Sequence, residues 1–196
     1  MAKIKIEGNA SGTGTLTISA PSTNTDRSLT LPDGAGEILL ANGDGSNLTG
    51  IAGNTPAFRV SQNTGGNGQS ITQEVWTLLA CETEEFDTDN AFDNTSGNYK
   101  FTVPTGKAGK YFFYSQYRLQ KNGSAQCTME IRKNGSQANY TNEAYVGTYP
   151  TCRASCILDL SEGDYIQVYV TYSNAGSSEN LTGVSNYTNF GGFKIA

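Results

Sequence analysis

The chain has 196 residues, of which 36% are hydrophobic and 16% charged, and its formal net charge is −5. No stretch is rich in Lys or Arg, which argues against phosphate-backbone binding, so we expect no nucleic-acid partner. No apolar run reaches the roughly 20 residues of a membrane helix, and we expect no membrane insertion. The 23 glycines, 11 tyrosines and many Ser, Thr and Asn residues favour strands joined by tight turns. The sequence therefore predicts an all-β protein.

Residues 1–52 form a segment that differs from the rest, because it contains no aromatic residue and could not build a core alone. Its apolar residues alternate with polar ones in two short runs, at 15–21 and 28–36, which is typical of strands. We expect a slender β-rich stalk whose apolar stripe is buried when several copies wind together. The residues predicted to form this stalk trimerisation stripe are Leu16, Ile18, Leu29 and Leu31. An anchor ordered by a partner surface, or a tail without structure, are the alternatives.

Residues 53–57 are predicted to be a linker, and the aromatic residues begin at Phe58. In the run 111–117 alternate residues face opposite ways, with Arg118 on the same face as Phe112 and Tyr114. Further strands are predicted at 127–133, 152–160, 165–172 and 191–196. The spacing of these strands, with no helical pattern, predicts one sandwich or jelly roll over residues 58–196.

Three short sequences are predicted to be turns. Lys-Asn-Gly-Ser occurs at 121–124 and again at 133–136, and Asn-Gly pairs of this kind are strong hairpin signals. Ser-Glu-Gly-Asp at 161–164 is the third predicted turn.

The four cysteines, Cys81, Cys127, Cys152 and Cys156, lack the spacing of zinc or redox motifs. Cys127 alternates in phase with Met129 and Ile131, which predicts a thiol packed in the core. Cys152 and Cys156 would lie about 13 Å apart along one strand, too far to bridge each other. A disulfide between Cys127 and one of the later two stays an alternative.

The absence of histidine excludes Ser-His-Asp and Cys-His catalysis and every His-containing zinc site. Paired carboxylates could still cleave glycosides, and acidic residues do cluster between Glu82 and Asp93. Such a cluster near strand ends is more often a solvated rim. We expect no enzyme and no cofactor, and leave open whether the acidic loop 84–94 binds calcium.

Four tyrosines lie in stretches that resemble loops, where flat rings can stack on sugars or anchor protein partners. We expect these residues to be ligand or interface contacts: Tyr140, Tyr145, Tyr149 and Tyr187.

The C-terminal part resembles the globular head of complement component 1q, a jelly roll related to tumour necrosis factor. The matching elements, in chain order, are Phe58-Arg59-Val60, the acidic stretch 84–94, the aromatic run 97–113, Lys-Asn-Gly at 133–135, Gly-Asp and its strand at 163–170, and Phe-Gly-Gly-Phe-Lys-Ile at 190–195. The resemblance implies a jelly-roll head that assembles as a homotrimer, which would also bury the stalk stripe.

The N-terminal segment is similar to the opening of fibre or spike proteins of tailed bacteriophages, in phrases such as residues 10–39 and Asp-Gly-Ser-Asn-Leu-Thr-Gly-Ile at 44–51. This resemblance implies a virion structural protein, made in the host cytoplasm and located on the virion surface as a trimeric short fibre or decoration. Its expected partners are capsid or tail proteins, bound through residues 1–52, and a host surface glycan or protein. A free bacterial lectin-like carbohydrate-binding module is the alternative.

Overall fold

The computed structural model describes residues 11–15, 22, 24–26, 55–174 and 176–195. The chain divides into two units, Met1–Thr49 and Gly50–Ala196. The described residues of the first unit are exposed. The predicted stalk residues Leu16, Ile18, Leu29 and Leu31 lie outside the described residues, as do residues 53–54 of the predicted linker, and their roles stay predictions.

The second unit is built from strands, and no helix occurs among the described residues, so none there could span a membrane. The strands are β1 Ala57–Ser61, β2 Gly66–Thr72, β3 Thr77–Leu78, β4 Thr83–Asp87, β5 Phe92–Asp93, β6 Lys100–Thr102, β7 Gly109–Arg118, β8 Ala125–Lys133, β9 Ser136–Tyr145, β10 Thr151–Leu160, β11 Tyr165–Ser173, β12 Ser178–Gly183 and β13 Asn189–Lys194.

Two antiparallel sheets face each other. The front sheet has the strand order β10-β7-β13-β1-β4, and the back sheet has the order β5-β6-β11-β8-β9, with β3 also paired to β11. A separate pair, β12 with β2, lies outside both. The first and last strands of the domain pair directly, with Ala57 opposite Phe193.

The core lies between the two sheets and follows from the period of two within each strand. In β7, Tyr111, Phe113, Ser115 and Tyr117 are buried, whereas the alternate residues Phe112, Tyr114 and Gln116 are partly exposed. Phe58 of β1 stacks on Phe101 of β6 with ring centroids 4.8 Å apart, joining the sheets through aromatic contact. The predicted all-β sandwich is confirmed.

One of the two predicted Asn-Gly hairpins forms. Asn134 and Gly135 connect β8 to β9, with Lys133 opposite Ser136, and both turn residues have positive φ (51° and 78°). Positive φ at both central positions is the geometry of the type I′ turn, whose twist matches that of the strands. The turn predicted at 161–164 is also present, since the Asp164 amide donates to the Ser161 carbonyl at 3.1 Å.

The hairpin predicted at 121–124 is wrong. β7 ends in the front sheet and β8 begins in the back sheet, so the segment between them crosses from one sheet to the other. An Asn-Gly pair specifies a local bend, but a hairpin also needs the two flanking strands to pair with each other. Here β7 pairs with β10 and β13 instead.

All four cysteines are free thiols, and Cys81, Cys127 and Cys152 are buried. Cys127 lies in the core with Met129 and Ile131, as its alternation predicts. Loss of solvation raises the pKa of Cys127 to about 11, so the group stays a neutral thiol.

Candidate binding face

The outward surface of the front sheet is the candidate site. Since side chains alternate along β7, the residues that alternate with the buried Tyr111, Phe113, Ser115 and Tyr117 point away from the core. These outward residues are Phe112, Tyr114, Gln116 and Arg118. The face is apolar at one end of the sheet and polar at the other.

The apolar patch is formed by Phe112, Ile157 and Phe193. In β7, Phe112 lies opposite Ile157 of β10 on one side and Phe193 of β13 on the other. The rings of Phe112 and Phe193 are 5.5 Å apart between centroids. Ile157 is 63% exposed and Phe193 42%, so the single chain leaves much of this patch in water.

The middle of the face depends on a glycine. Tyr114 lies across β13 at Gly191, where an added Cβ would come within 2.5 Å of the Tyr114 hydroxyl oxygen and 2.9 Å of the Phe58 carbonyl oxygen. Any other residue at 191 would displace the ring or the neighbouring strand. Beside this ring is a cavity of about 690 Å³, lined in part by Arg59, Gln116 and Arg153.

The polar end is organised around Arg118, at the end of β7. Its guanidinium carbon lies 3.4 Å from the ring centroid of Tyr187 and 4.9 Å from that of Tyr149, so the cation is held between two rings. Its Nε donates a hydrogen bond to the Thr182 hydroxyl at 3.1 Å, which fixes the plane of the group.

A cavity of about 390 Å³ opens beside this cation. We call it the tyrosine–arginine site, and define it by Arg118, Tyr145, Tyr149, Arg153, Asn186 and Tyr187. Arg153 belongs to β10, and its Nε donates to the Gln116 side-chain oxygen at 3.2 Å. The backbone amide of Arg153 donates to Glu143 at 3.2 Å, which places one carboxylate next to the site without lining it.

Three of the four predicted tyrosines meet at this site, namely Tyr145, Tyr149 and Tyr187. Tyr140 does not line it, and its hydroxyl oxygen instead accepts a hydrogen bond from the Asn142 side chain at 3.2 Å. Whether these residues contact a ligand or another protein stays a prediction. The expectation that Tyr140 and Tyr145 lie in loops is wrong, because both belong to β9. This edge strand is mostly polar, so it lacks the alternation of apolar and polar residues that would predict a strand.

The two arginines were not predicted as site residues. The alternation of β7 does place Arg118 on the outward face, and this is a usable signal. Nothing local in the sequence indicates that Arg153 lies next to it, because that proximity depends on the pairing of β7 with β10.

The acidic loop uses its carboxylates to hold its own backbone. Asp87 accepts hydrogen bonds from the amides of Asp89 (3.2 Å) and Phe92 (2.7 Å). Asp93 accepts from the Thr95 side chain and amide and from the Asn98 side chain, and these bonds hold the pKa of Asp93 below its ordinary value. Among the residues described, no group of three or more His, Cys, Asp or Glu side chains is placed to hold a metal ion.

Two facing antiparallel sheets with this strand order define a jelly-roll sandwich. The model of the C1q domain family matches residues 57–195, and the chain belongs to that family. Trimer assembly is typical of the family, and domains of this kind are generally non-enzymatic structural or ligand-binding modules.

Solved structures share the fold at low sequence identity. The PRD1 vertex protein P5 has a TM-score of 0.55 and 13% identity, covering 74% of this chain and 100% of its own. Murine APRIL has a TM-score of 0.50 and 14% identity, covering 71% and 98%. The globular domain of zebrafish complement 1qA has a TM-score of 0.48 and 16% identity, covering 72% and 98%. No curated protein sequence matches the chain.

Proposed function

We propose that this chain is a structural protein of a bacteriophage virion, a homotrimeric short fibre or decoration that displays its C1q domain on the particle surface for attachment to the host. In this proposal residues 1–52 bind capsid or tail proteins, and the chain is made in the cytoplasm of the host bacterium.

The observation that carries the trimer is the apolar patch on the front sheet. A monomer would leave Ile157 and Phe193 on either side of Phe112 in contact with water, and contiguous exposed apolar side chains of this kind usually mark a protein interface. The occupant that we assign to the patch is a second copy of this chain, because trimer assembly is typical of the family. Closed symmetry would cover the patch on all three subunits.

The position of Ala57, where the chain enters the domain, supports display of the opposite end of the front sheet. β1 starts at Ala57, which is aligned through β13 with Phe112, whereas Arg118 lies six residues further along β7. At about 3.3 Å per residue these two ends of the front sheet are roughly 20 Å apart. The chain thus reaches the domain at the apolar end, and the tyrosine–arginine site lies at the opposite end.

The placement on a virion is supported by the similarity of residues 10–51 to phage fibre and spike openings. A fold shared with the PRD1 vertex protein P5 is compatible with it.

Two measurements test the proposal. Light scattering of the full chain at micromolar concentration should give three times the mass of the 20.9 kDa chain. Purified particles of the phage that encodes the chain should contain it, at positions that a density map or immunogold labelling would reveal. A monomer, or absence from washed particles, would contradict the proposal.

A free lectin-like carbohydrate-binding module is the second candidate. The cavity lined by three tyrosines favours it, because exposed aromatic rings with nearby polar groups suit sugar binding. Such a module would bind saccharide and yet be missing from the particles.

A further inference from the structure

We propose that copies of this chain meet at opposite edges of the front sheet, with the acidic edge of one copy bound to Arg153 of the next. We call Glu84 and Glu85 of β4 the acidic edge. The inference rests on the proposed function and deepens it, because it assigns the two surfaces that meet at each contact of the trimer.

The first argument is the order of the strands. β10 and β4 are the two outer strands of the front sheet, which is five strands wide. In a trimer joined through the front sheet, three such sheets face one common axis, and each corner brings β4 of one copy next to β10 of the following copy. Such a contact is heterologous, since two different surfaces meet, and a three-fold rotation repeats it until the ring closes.

The second argument is register. One row of paired residues crosses the whole sheet at the height of Arg153. This row runs from β10 to β4 through Arg153, Gln116, Asn189, Ser61 and Thr83. The acidic edge follows Thr83 directly, so it stands at nearly the same height as Arg153 on the opposite edge. Equal height allows a ring to close around an axis along the strands, whereas a step along that axis would build an open helix.

The third argument is charge. Arg153 is exposed and, among the described residues, forms no ion pair, and its backbone amide rather than its guanidinium bonds to Glu143. Glu84 is also exposed and without an ion pair in the described part of the chain, whereas Glu85 lies 2.8 Å from the Nε of Arg59. Opposite charges left at the two edges are complementary between copies.

Distance excludes the same pairing within one chain. Four strand spacings of about 4.8 Å separate β10 from β4, which is roughly 19 Å in all. Arg153 can therefore meet an acidic edge only when that edge belongs to a second copy.

The fourth argument is continuity with the apolar patch. Phe112, at the centre of that patch, lines the same cavity of about 690 Å³ as Arg153. On the other edge, Phe86 is 49% exposed and follows Glu85 directly. Each surface thus offers an aromatic ring next to a charge, and one contact would bury rings and pair charges together.

The experiment is sedimentation velocity of the full chain at micromolar concentration and low ionic strength, where charges are least screened. Arg153→Glu places a carboxylate against the acidic edge, and Glu84→Lys with Glu85→Lys places two cations against Arg153. We expect each reversal to raise the concentration at which half of the chains are trimeric by about tenfold or more, since like charges at an interface are strongly unfavourable.

The decisive sample combines all three substitutions. It restores opposite charges at the contact, so the concentration for half assembly should return to within about threefold of that of the original chain. Rescue of this kind shows that the two surfaces meet, because two independent disruptions would add instead.

Two controls carry the same changes of charge away from the front sheet. Lys100→Glu lies in β6 of the back sheet, and Glu74→Lys lies between β2 and β3. Each should leave assembly within about twofold of the original chain. Circular dichroism checks that every variant is folded.

A reversal that does not fold is replaced by neutral variants, namely Arg153→Gln, and Glu84→Gln with Glu85→Gln. The neutral variants combined should then assemble about as well as the weaker of the two alone, because the same interaction is lost only once. Additive losses would count against the contact.

Two results would overturn the inference in a chain that is trimeric before substitution. These are assembly that survives either reversal unchanged, and a combined variant as weak as Arg153→Glu alone. Both would leave the proposed function standing. A monomeric original chain would instead count against the proposed function itself, and this inference would fall with it.

Discussion

The hydroxyl group of Tyr117 in the front sheet donates a hydrogen bond of 2.6 Å to the carbonyl oxygen of Thr171 in the back sheet. The same oxygen of Tyr117 accepts from the Thr128 amide at 2.9 Å. The ring is fully buried, and burial holds the pKa of Tyr117 well above its ordinary value, so the hydroxyl stays a donor. One side chain thus joins β7 to the backbone of β8 and β11.

Replacing Tyr117 by Phe should lower the free energy of unfolding by about 1–3 kcal/mol, because the buried Thr128 amide would lose its partner. Chemical denaturation at neutral pH measures this change. Tyr165→Phe, at a half-buried ring on the back sheet, serves as the control and should change the value by less than about 0.5 kcal/mol. Equal effects of the two substitutions would show that the bonds across the core contribute little.

The type I′ hairpin gives a second prediction. Gly135→Ala should destabilise the fold by about 1 kcal/mol, because its φ of 78° is unfavourable for a residue with a Cβ. The space there is sufficient, since the nearest atom to an added Cβ is the Tyr165 hydroxyl oxygen at 3.5 Å. Gly66→Ala is the control, at a glycine without positive φ and with nothing within 4 Å, and thermal unfolding of both should separate strain from crowding.

The carboxylate of Asp164 should make the stability of the fold depend on pH. It accepts hydrogen bonds from the Asn134 side chain at 2.7 Å and the Ser161 amide at 2.8 Å, and it pairs with Lys133 at 2.8 Å. The Lys133 side chain is the largest cause that lowers the pKa of Asp164 to about 2, followed by Asn134 and Ser161.

The pKa of Asp164 is lower in the folded chain than in the unfolded chain. Its contribution to the free energy of unfolding is therefore present above about pH 4 and lost as the pH falls toward 2. The pair lies near the surface and is screened, so we expect only about 1 kcal/mol. Urea denaturation between pH 2 and pH 6 measures how the free energy of unfolding rises with pH. Asp164→Asn should reduce this slope, and Asp159→Asn should leave it unchanged. A slope unchanged by Asp164→Asn would refute the assignment.

The thiols give a fourth prediction. Burial raises the pKa of Cys156 to about 11, as it does that of Cys127, and raises those of Cys81 and Cys152 further. At pH 8 almost no thiolate is present, so the native chain should react slowly with Ellman's reagent. In denaturant without reductant all four thiols should react at once. A count of two would reveal the disulfide that the sequence left as an alternative.

The apolar patch gives the last prediction. Ile157→Asp should abolish the proposed trimer while leaving the single domain folded, because the side chain is 63% exposed in one chain but would be buried between copies. Val75→Asp is the control, at an apolar residue that is 51% exposed and lies between β2 and β3, neither of which belongs to the front sheet. Sedimentation velocity measures the oligomeric state of both variants. A trimer that survives Ile157→Asp combined with Phe193→Asp would place the interface elsewhere.

The sequence predicts what is specified by residues close together in the chain. Alternation in β7 identifies the buried and outward faces of that strand, and Asn134-Gly135 identifies the hairpin between β8 and β9, because both signals are local. Lys121–Ser124 carries the same Asn-Gly signal and yet crosses between sheets, since strand pairing is set by contacts distant in sequence. The proximity of Arg118 to Arg153, 35 positions later, arises from that pairing and could not be predicted.

The direct pairing of Ala57 with Phe193 has a consequence for engineering. Neighbouring strands are about 5 Å apart, so a linker of a few residues after Lys194 could close the domain into a ring. The ring could be reopened at the exposed Asn134-Gly135 hairpin, which would give a circular permutant with new termini on the back sheet. The same adjacency would allow the domain to be inserted as a cassette into a surface loop of an unrelated protein.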